Sequence, residues 1–126
     1  MTSQSEVLRK RTKAFAIRIV NLFKSLPRTE EARVIGKQLL RSGTSVAANY
    51  RAVCRSRSKA EFVAKIGIVV EEADETVFWL ELLSDVGVVA AARIMRYCRK
   101  QTSCWLFSQH HNERHVQIEI SAPMFQ

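Results

Sequence analysis

The sequence predicts an all-α protein, an antiparallel up-down four-helix bundle. The chain has 126 residues with only four glycines and two prolines, so residues that interrupt helices are scarce. Apolar side chains recur at steps of three and four residues, the period of one helix face. The connection between the second and third periodic segments is short, which favours antiparallel neighbours. The length is that of one domain, with residues 1–110 predicted as the bundle and residues 111–126 as an extended tail.

The first helix is predicted over residues 7–26. Pro27 ends it, because the residue before a proline is pushed out of the α region. The apolar stripe of this helix consists of Leu8, Phe15, Ile19, Leu22 and Leu26.

The second helix is predicted to begin after Thr29, whose hydroxyl can act as an N-cap, and to stop near Arg55. Its apolar stripe passes through Gly43, although glycine costs up to about 1 kcal/mol relative to alanine inside a helix. We interpret Gly43 as a point of close approach to a neighbouring helix, with a break or kink at residues 42–45 as the alternative. The stripe consists of Ile35, Leu39, Gly43, Val46, Tyr50 and Val53.

The third helix is predicted to start with a capping box, in which the Ser58 oxygen accepts from the Glu61 amide and the Glu61 carboxylate reaches back to the Ser58 amide. Gly87 is the predicted stop. The unbroken seam consists of Phe62, Ile66, Val69, Ala73, Thr76, Leu80 and Leu83. Further apolar residues widen it, namely Val63, Val70, Val77, Phe78 and Leu82. This width exceeds what one bundle face needs and indicates a second contact surface.

A fourth, weaker helix is predicted after Gly87. Its apolar positions are Val88, Ala91, Ile94, Met95, Cys98, Trp105 and Leu106. Beyond it, the alternation over residues 116–120 predicts a short extended segment in the tail.

The charge is large and unevenly distributed. The formal net charge is +8, and thirteen of the twenty cations are arginine. Residues 1–65 hold fifteen basic and four acidic side chains, whereas residues 66–92 hold six acidic and no basic ones. Because arginine binds phosphate bidentately and stacks on bases, a polyanionic partner is one hypothesis. A merely solvated basic surface is the other.

The cations fall on the first two helices and the turn that follows them. Such stripes can follow a phosphate backbone with salt-dependent affinity and little base recognition. No helix-turn-helix, zinc-finger or aromatic-platform pattern is recognisable, so low sequence specificity is predicted. The predicted nucleic-acid-binding residues are Arg9, Arg11, Lys13, Arg18, Lys37, Arg41, Arg51, Arg55, Arg57 and Lys59, with Lys10 on the same stretch of the first helix.

A metal centre or a catalytic site is not predicted. Glu72 and Glu75 share a helix face, but a di-metal site would need carboxylates and histidines from facing helices, and no histidine precedes His110. We expect this acidic pair to bind arginines of a neighbouring helix or subunit, such as Arg51 or Arg55. His111 and His115 are expected to be solvent-exposed. With no nucleophile beside a histidine and no glycine-rich phosphate loop, we predict a protein that is not an enzyme and uses no cofactor.

The three cysteines, Cys54, Cys98 and Cys104, form no Cys-x-x-Cys pair and are predicted to be free thiols. No window reaches the roughly 18 apolar residues of a membrane span, and the first residues lack the pattern of a signal peptide. The sequence therefore predicts a cytoplasmic protein.

Several linked motifs resemble one family. They are Arg41-Ser-Gly-Thr-Ser-Val-Ala-Ala-Asn-Tyr-Arg51, Ser58-x-Ala-Glu-Phe62, Glu71-Glu-Ala-Asp-Glu-Thr76 and Trp79-Leu-Glu-Leu-Leu83. Their order resembles the bacterial four-helix-bundle proteins encoded in intervening sequences of 23S ribosomal RNA, over roughly residues 10–108. That family includes the accessory variability protein of diversity-generating retroelements, a basic bundle that forms a ring-like homopentamer and binds nucleic acid and a reverse transcriptase.

The resemblance implies a homopentamer and a set of residues that fix helix packing. These are Gly43, Asn49, Tyr50, Glu72, Glu75 and Trp79. Together with the charge, it leads to the hypothesis of a homo-oligomer that binds nucleic acid with low sequence specificity. The alternative is an interaction scaffold that docks an acidic protein or a reverse transcriptase.

Overall fold

The computed structural model describes residues 3–94. They form three long helices, α1 (Gln4–Ser25), α2 (Glu30–Val53) and α3 (Lys59–Asp85), and residues 91–94 are also helical. The all-α prediction is confirmed over this part of the chain, which contains no strand. The rest of the predicted fourth helix and the tail lie outside the described residues.

Helix α1 begins three residues earlier than predicted because Ser3 caps it. The Ser3 hydroxyl accepts a hydrogen bond from the Glu6 backbone N–H at 3.2 Å, which satisfies one of the free donors at the helix start. The predicted cap of α2 is confirmed, since the Thr29 hydroxyl accepts from the Ala32 N–H at 3.3 Å.

The turn between α2 and α3 departs from the predicted capping box in one contact. The Ser58 hydroxyl accepts from the Glu61 N–H at 3.1 Å, as expected. The Glu61 carboxylate, however, accepts from the backbone N–H of Arg57 at 2.9 Å rather than from that of Ser58. Hydrogen bonds from Lys65 and from the Arg57 backbone hold the pKa of Glu61 below its usual value, because they stabilise the charged carboxylate.

Helix α3 stops where Gly87 was predicted to stop it. Gly87 adopts a φ of 78°, the left-handed conformation that favours glycine. Its N–H donates to the Ser84 carbonyl at 3.0 Å, and the Val88 N–H donates to the Leu83 carbonyl at 2.9 Å. These two bonds form a Schellman motif, which satisfies carbonyls at the helix end.

Helix α2 packs against both α1 and α3, and the core divides into two clusters. In the first, Leu8 near the start of α1 lies with Tyr50 near the end of α2. In the second, Leu22 near the end of α1 lies with Leu39 of α2. The α3 seam is buried throughout, as predicted, at Phe62, Ile66, Val69, Ala73, Thr76, Leu80 and Leu83.

The contact at Gly43 explains the glycine in the α2 stripe. A Cβ atom at Gly43 would lie 2.8 Å from Cγ2 of Ile19, so only a bare backbone lets α1 approach this closely. Helix α2 is continuous from Glu30 to Val53, which makes the alternative of a break at residues 42–45 wrong. Gly36 marks a second close approach, since a Cβ there would lie 2.7 Å from Cδ1 of Leu26.

Apolar residues of α3 also lie on its outer side. Val77 belongs to the core, whereas Phe78 is 53% exposed and Ile68 is 44% exposed. The rings of Phe78 and Trp79 meet edge to face with 4.9 Å between centroids. Of the residues predicted to widen the seam, Val77 is buried, Phe78 is exposed, and the other three are half-buried, namely Val63, Val70 and Leu82.

Candidate nucleic-acid interface

Positive and negative side chains are unevenly divided among the helices. Nine of the ten cations predicted to bind nucleic acid are exposed, and Arg18 is half-buried. Helix α3 carries six acidic residues after Lys65, namely Glu71, Glu72, Asp74, Glu75, Glu81 and Asp85. Helices α1 and α2 are adjacent and carry most of these cations.

An open groove of about 560 Å³ lies between α1 and α2. Three of its cations come from one turn of α1, and Arg51 of α2 is the fourth. Small side chains of α2 lie between them, so the groove remains wide enough for a phosphate to approach the backbone. We call this the basic groove; its lining is Arg9, Lys10, Lys13, Thr44, Ala47, Ala48 and Arg51.

The groove cations are largely free to bind an external anion. Lys10 makes an exposed pair with Glu6, with 3.7 Å between Nζ and the carboxylate, and such pairs contribute little. No carboxylate of the described residues 3–94 lies within ion-pair distance of Arg9, Lys13 or Arg51. An incoming phosphate would therefore not have to displace an internal partner at these three side chains.

Arg41 forms ion pairs within the fold. One guanidinium nitrogen lies 3.3 Å from the Glu72 carboxylate, and the other binds the Glu75 carboxylate. The Trp79 indole N–H also donates to Glu75, at 3.2 Å. An arginine of the neighbouring helix thus binds the acidic pair, as predicted, but it is Arg41 and neither of the suggested residues, Arg51 and Arg55.

Three other residues assigned to packing lie in or near the α2 interfaces. Tyr50 is 3% exposed, and burial, with a smaller effect of the nearby Cys54 thiol, raises the pKa of its hydroxyl. Burial raises the pKa of Cys54 as well, and this thiol is free and half-buried. Asn49 donates to the Ser45 carbonyl at 2.9 Å, and Gly43 meets Ile19 as described above. Cys98 and Cys104 lie outside the described residues.

The structure brings together only some of the cations that were predicted to bind nucleic acid. Arg9, Lys13 and Arg51 line the basic groove, whereas Arg11 and Lys37 are exposed elsewhere. Arg55, Arg57 and Lys59 lie at the turn between α2 and α3. The small residues of the groove were not predicted from the sequence, although Thr44, Ala47, Ala48 and Arg51 recur at helical spacing and could have been recognised.

Residues 3–94 contain neither a candidate metal site nor a helix that could span a membrane. Among residues 3–94, no cluster of three histidine, cysteine, aspartate or glutamate side chains could hold a metal ion. Within the same range, no helix has the length and apolar character needed to cross a membrane. His110, His111 and His115 lie outside this range.

Comparison with known proteins identifies the family. The family model described as 23S rRNA-intervening sequence protein matches residues 4–104, which include all three helices and the basic groove. The chain belongs to the 23S rRNA-intervening sequence protein family. No curated protein matches it.

A solved member of the S23 ribosomal protein family has a similar structure. It is a protein of unknown function from Bacteroides thetaiotaomicron, determined at 1.70 Å resolution. The two chains share 32% sequence identity with a TM-score of 0.78, over 95% of this chain and 99% of that one. The resemblance to 23S rRNA-intervening sequence proteins that the motifs indicated is thereby confirmed.

Proposed function

We propose that this 23S rRNA-intervening sequence protein binds the phosphodiester backbone of RNA or DNA with low sequence specificity and without catalysing a reaction. The basic groove is the observation that supports this most strongly. It gathers four cations from two helices around small side chains, an arrangement suited to a chain of phosphates.

The chemistry of the groove favours binding to the backbone over reading of bases. Its cations are lysine and arginine, and its floor offers only the Thr44 hydroxyl and alanine methyl groups. Sequence is usually read by side chains that contact base edges, whereas phosphate contacts position the protein. Affinity should therefore be salt-dependent and nearly independent of sequence.

Assembly is part of the proposal. The four helices would form an antiparallel up-down bundle, and five copies would form a ring. The order of contacts along α1 and α2 supports the antiparallel arrangement, and the family resemblance supports the ring. Phe78 and Ile68 on the outer side of α3 supply apolar surface suited to contact between copies. We place this assembly in the cytoplasm.

Fluorescence anisotropy tests the binding proposal. Labelled RNA, DNA and hybrid duplexes of unrelated sequences would be titrated with the full chain over a salt series. We expect similar affinity for all sequences and a linear fall of the logarithm of the binding constant with the logarithm of salt concentration. Absence of binding at low salt, or binding indifferent to salt, would contradict the proposal.

The runner-up proposal is an interaction scaffold, because the same exposed cations could dock an acidic protein such as a reverse transcriptase. Purification from native cells separates the two proposals. A scaffold should retain a stoichiometric protein after nuclease treatment, whereas a nucleic-acid binder should lose its partner.

A further inference from the structure

A second depression of about 420 Å³ lies where α1 turns into α2. Its lining includes an aromatic ring and other large apolar side chains, which the lining of the basic groove does not. We call it the turn cleft; it is formed by the apolar residues Phe23, Leu26, Pro27 and Ala32 and by the cations Lys24, Arg28 and Arg33.

Gly36 lets the apolar wall of the turn cleft lie close to α2. A Cβ there would be 3.2 Å from Cδ2 of Phe23 and 2.7 Å from Cδ1 of Leu26. Because glycine leaves this space free, both side chains pack onto the α2 backbone. The aromatic ring is thus held in place before any ligand arrives, which lowers the entropy cost of binding.

The cations of the turn cleft do not by themselves determine which kind of ligand it would bind. Glu30 and Glu31 are exposed in the first turn of α2, next to the three cations. Their carboxylates offset much of the positive charge, so a bare phosphate would bind only weakly. A ligand that combines an anionic group with a flat apolar part would use both the cations and the Phe23 wall.

The turn cleft and the basic groove lie on the same side of α1 and α2. Arg33 and Arg51 are eighteen positions apart, which is about five whole turns at 3.6 residues per turn. Lys10 and Lys24 are fourteen positions apart, close to four turns. The two sites are therefore separated by roughly 21 to 27 Å along the helices.

We propose that the turn cleft receives an unpaired nucleotide, with its base against the Phe23 wall and its phosphate on the cations, at one end of a strand whose backbone follows the basic groove. This inference depends on the proposed function. It adds a preference for single-stranded nucleic acid, since a paired base cannot leave its stack to enter the turn cleft without an energy cost.

Three ligands test this preference: a single-stranded oligonucleotide of ten nucleotides, its abasic counterpart with the same phosphates, and a duplex. We expect the base-containing strand to bind roughly tenfold more tightly than the abasic one, the gain typical of one stacked base. Phe23→Leu should remove this difference while the affinity for the abasic strand stays unchanged. If both strands bind with equal affinity and Lys13→Ala still weakens that binding, the inference is overturned and the proposed function is left intact. Failure of all three ligands to bind would overturn the proposed function.

A second measurement is independent of the groove and of the stability of the Phe23 variant. A nucleoside monophosphate is titrated into the isotope-labelled full chain while the backbone amides of Ala32, Arg33 and Gly36 are followed by NMR. Saturable shifts that disappear in Lys24→Ala/Arg33→Ala support the turn cleft as a nucleotide site. Shifts confined to other residues, or tighter binding of an acidic peptide that carries one aromatic residue, would overturn it.

Discussion

A Cβ atom placed on Gly43 of α2 would lie 2.8 Å from Cγ2 of Ile19 on α1. Ile19 is fully buried, so its side chain has no room to withdraw. This contact fixes the distance between α1 and α2 next to Thr44, where the basic groove begins. A packing relationship in the core therefore determines the geometry of the candidate interface.

Gly43→Ala should destabilise the protein by about 1–3 kcal/mol, because the added methyl group overpacks the contact with Ile19. The matched control is Gly67→Ala in α3, where a Cβ would meet nothing within 4 Å. There the higher helix propensity of alanine should stabilise by up to about 1 kcal/mol. Urea unfolding of both variants measures the difference, and equal effects would refute the close-approach interpretation.

The groove cations should affect binding more than equally exposed cations elsewhere. Arg9→Ala/Lys13→Ala removes two groove charges, and Arg11→Ala/Lys59→Ala removes the same charge from outside the groove. We expect the first variant to lower the dependence of log affinity on log salt by about 1.8, or 0.9 per lost phosphate contact. The second should leave the slope nearly unchanged. Anisotropy over a salt series provides the measurement, and equal slopes would refute the assignment of the groove.

The pair between Arg41 and Glu72 should contribute modestly to stability. The Arg41 side chain is 47% exposed and that of Glu72 is 21% exposed, so water screens the attraction. A double-mutant cycle with Arg41→Ala and Glu72→Gln should give a coupling energy of about 0.5 kcal/mol that shrinks as salt is added. The same cycle with Arg51→Ala in place of Arg41→Ala should give no coupling energy. A measurable coupling there would instead support the expectation from the sequence that Arg51 binds the acidic pair.

Glu61 should make the start of α3 sensitive to acid. The folded state lowers its pKa, so the carboxylate contributes stability above its unfolded pKa and loses this contribution as pH falls through the lower folded value. Glu61→Gln should therefore reduce the melting temperature at neutral pH, with a difference that vanishes in acid below the folded pKa. Thermal melts across pH measure this, and a gap independent of pH would disprove the linkage.

Phe78→Ser should weaken self-association without harming the fold, because the side chain is 53% exposed. Val34→Ser on α2, where the side chain is 59% exposed, is the control. We expect light scattering to show smaller particles for Phe78→Ser only. A wild-type chain that is monomeric at micromolar concentration would contradict the proposed ring directly.

Local sequence signals located the helices because they depend on neighbouring residues. Pro27, Thr29 and Gly87 act within one turn of the chain, and the structure confirms the roles assigned to them. Glu61 shows the limit of such signals, since two nearby backbone N–H groups were available and the conformation of the turn selected that of Arg57.

The candidate site could be predicted only in part. Composition and charge counting identified α1 and α2 as the basic helices, but they did not separate Arg9 from Arg11. That distinction depends on which face of α1 meets α2 and forms the groove. The turn cleft was missed because it joins Phe23 to Arg33 across a turn.

The sequence by itself determined the all-α fold, the buried seam of α3 and the separation of charge between helices, because hydrophobic periodicity and capping act over a few residues. Only the tertiary structure decided that Arg41 binds Glu72 and Glu75, and that four cations surround one groove. Those relationships join residues far apart in the chain, and they depend on the distance and rotation at which the helices pack.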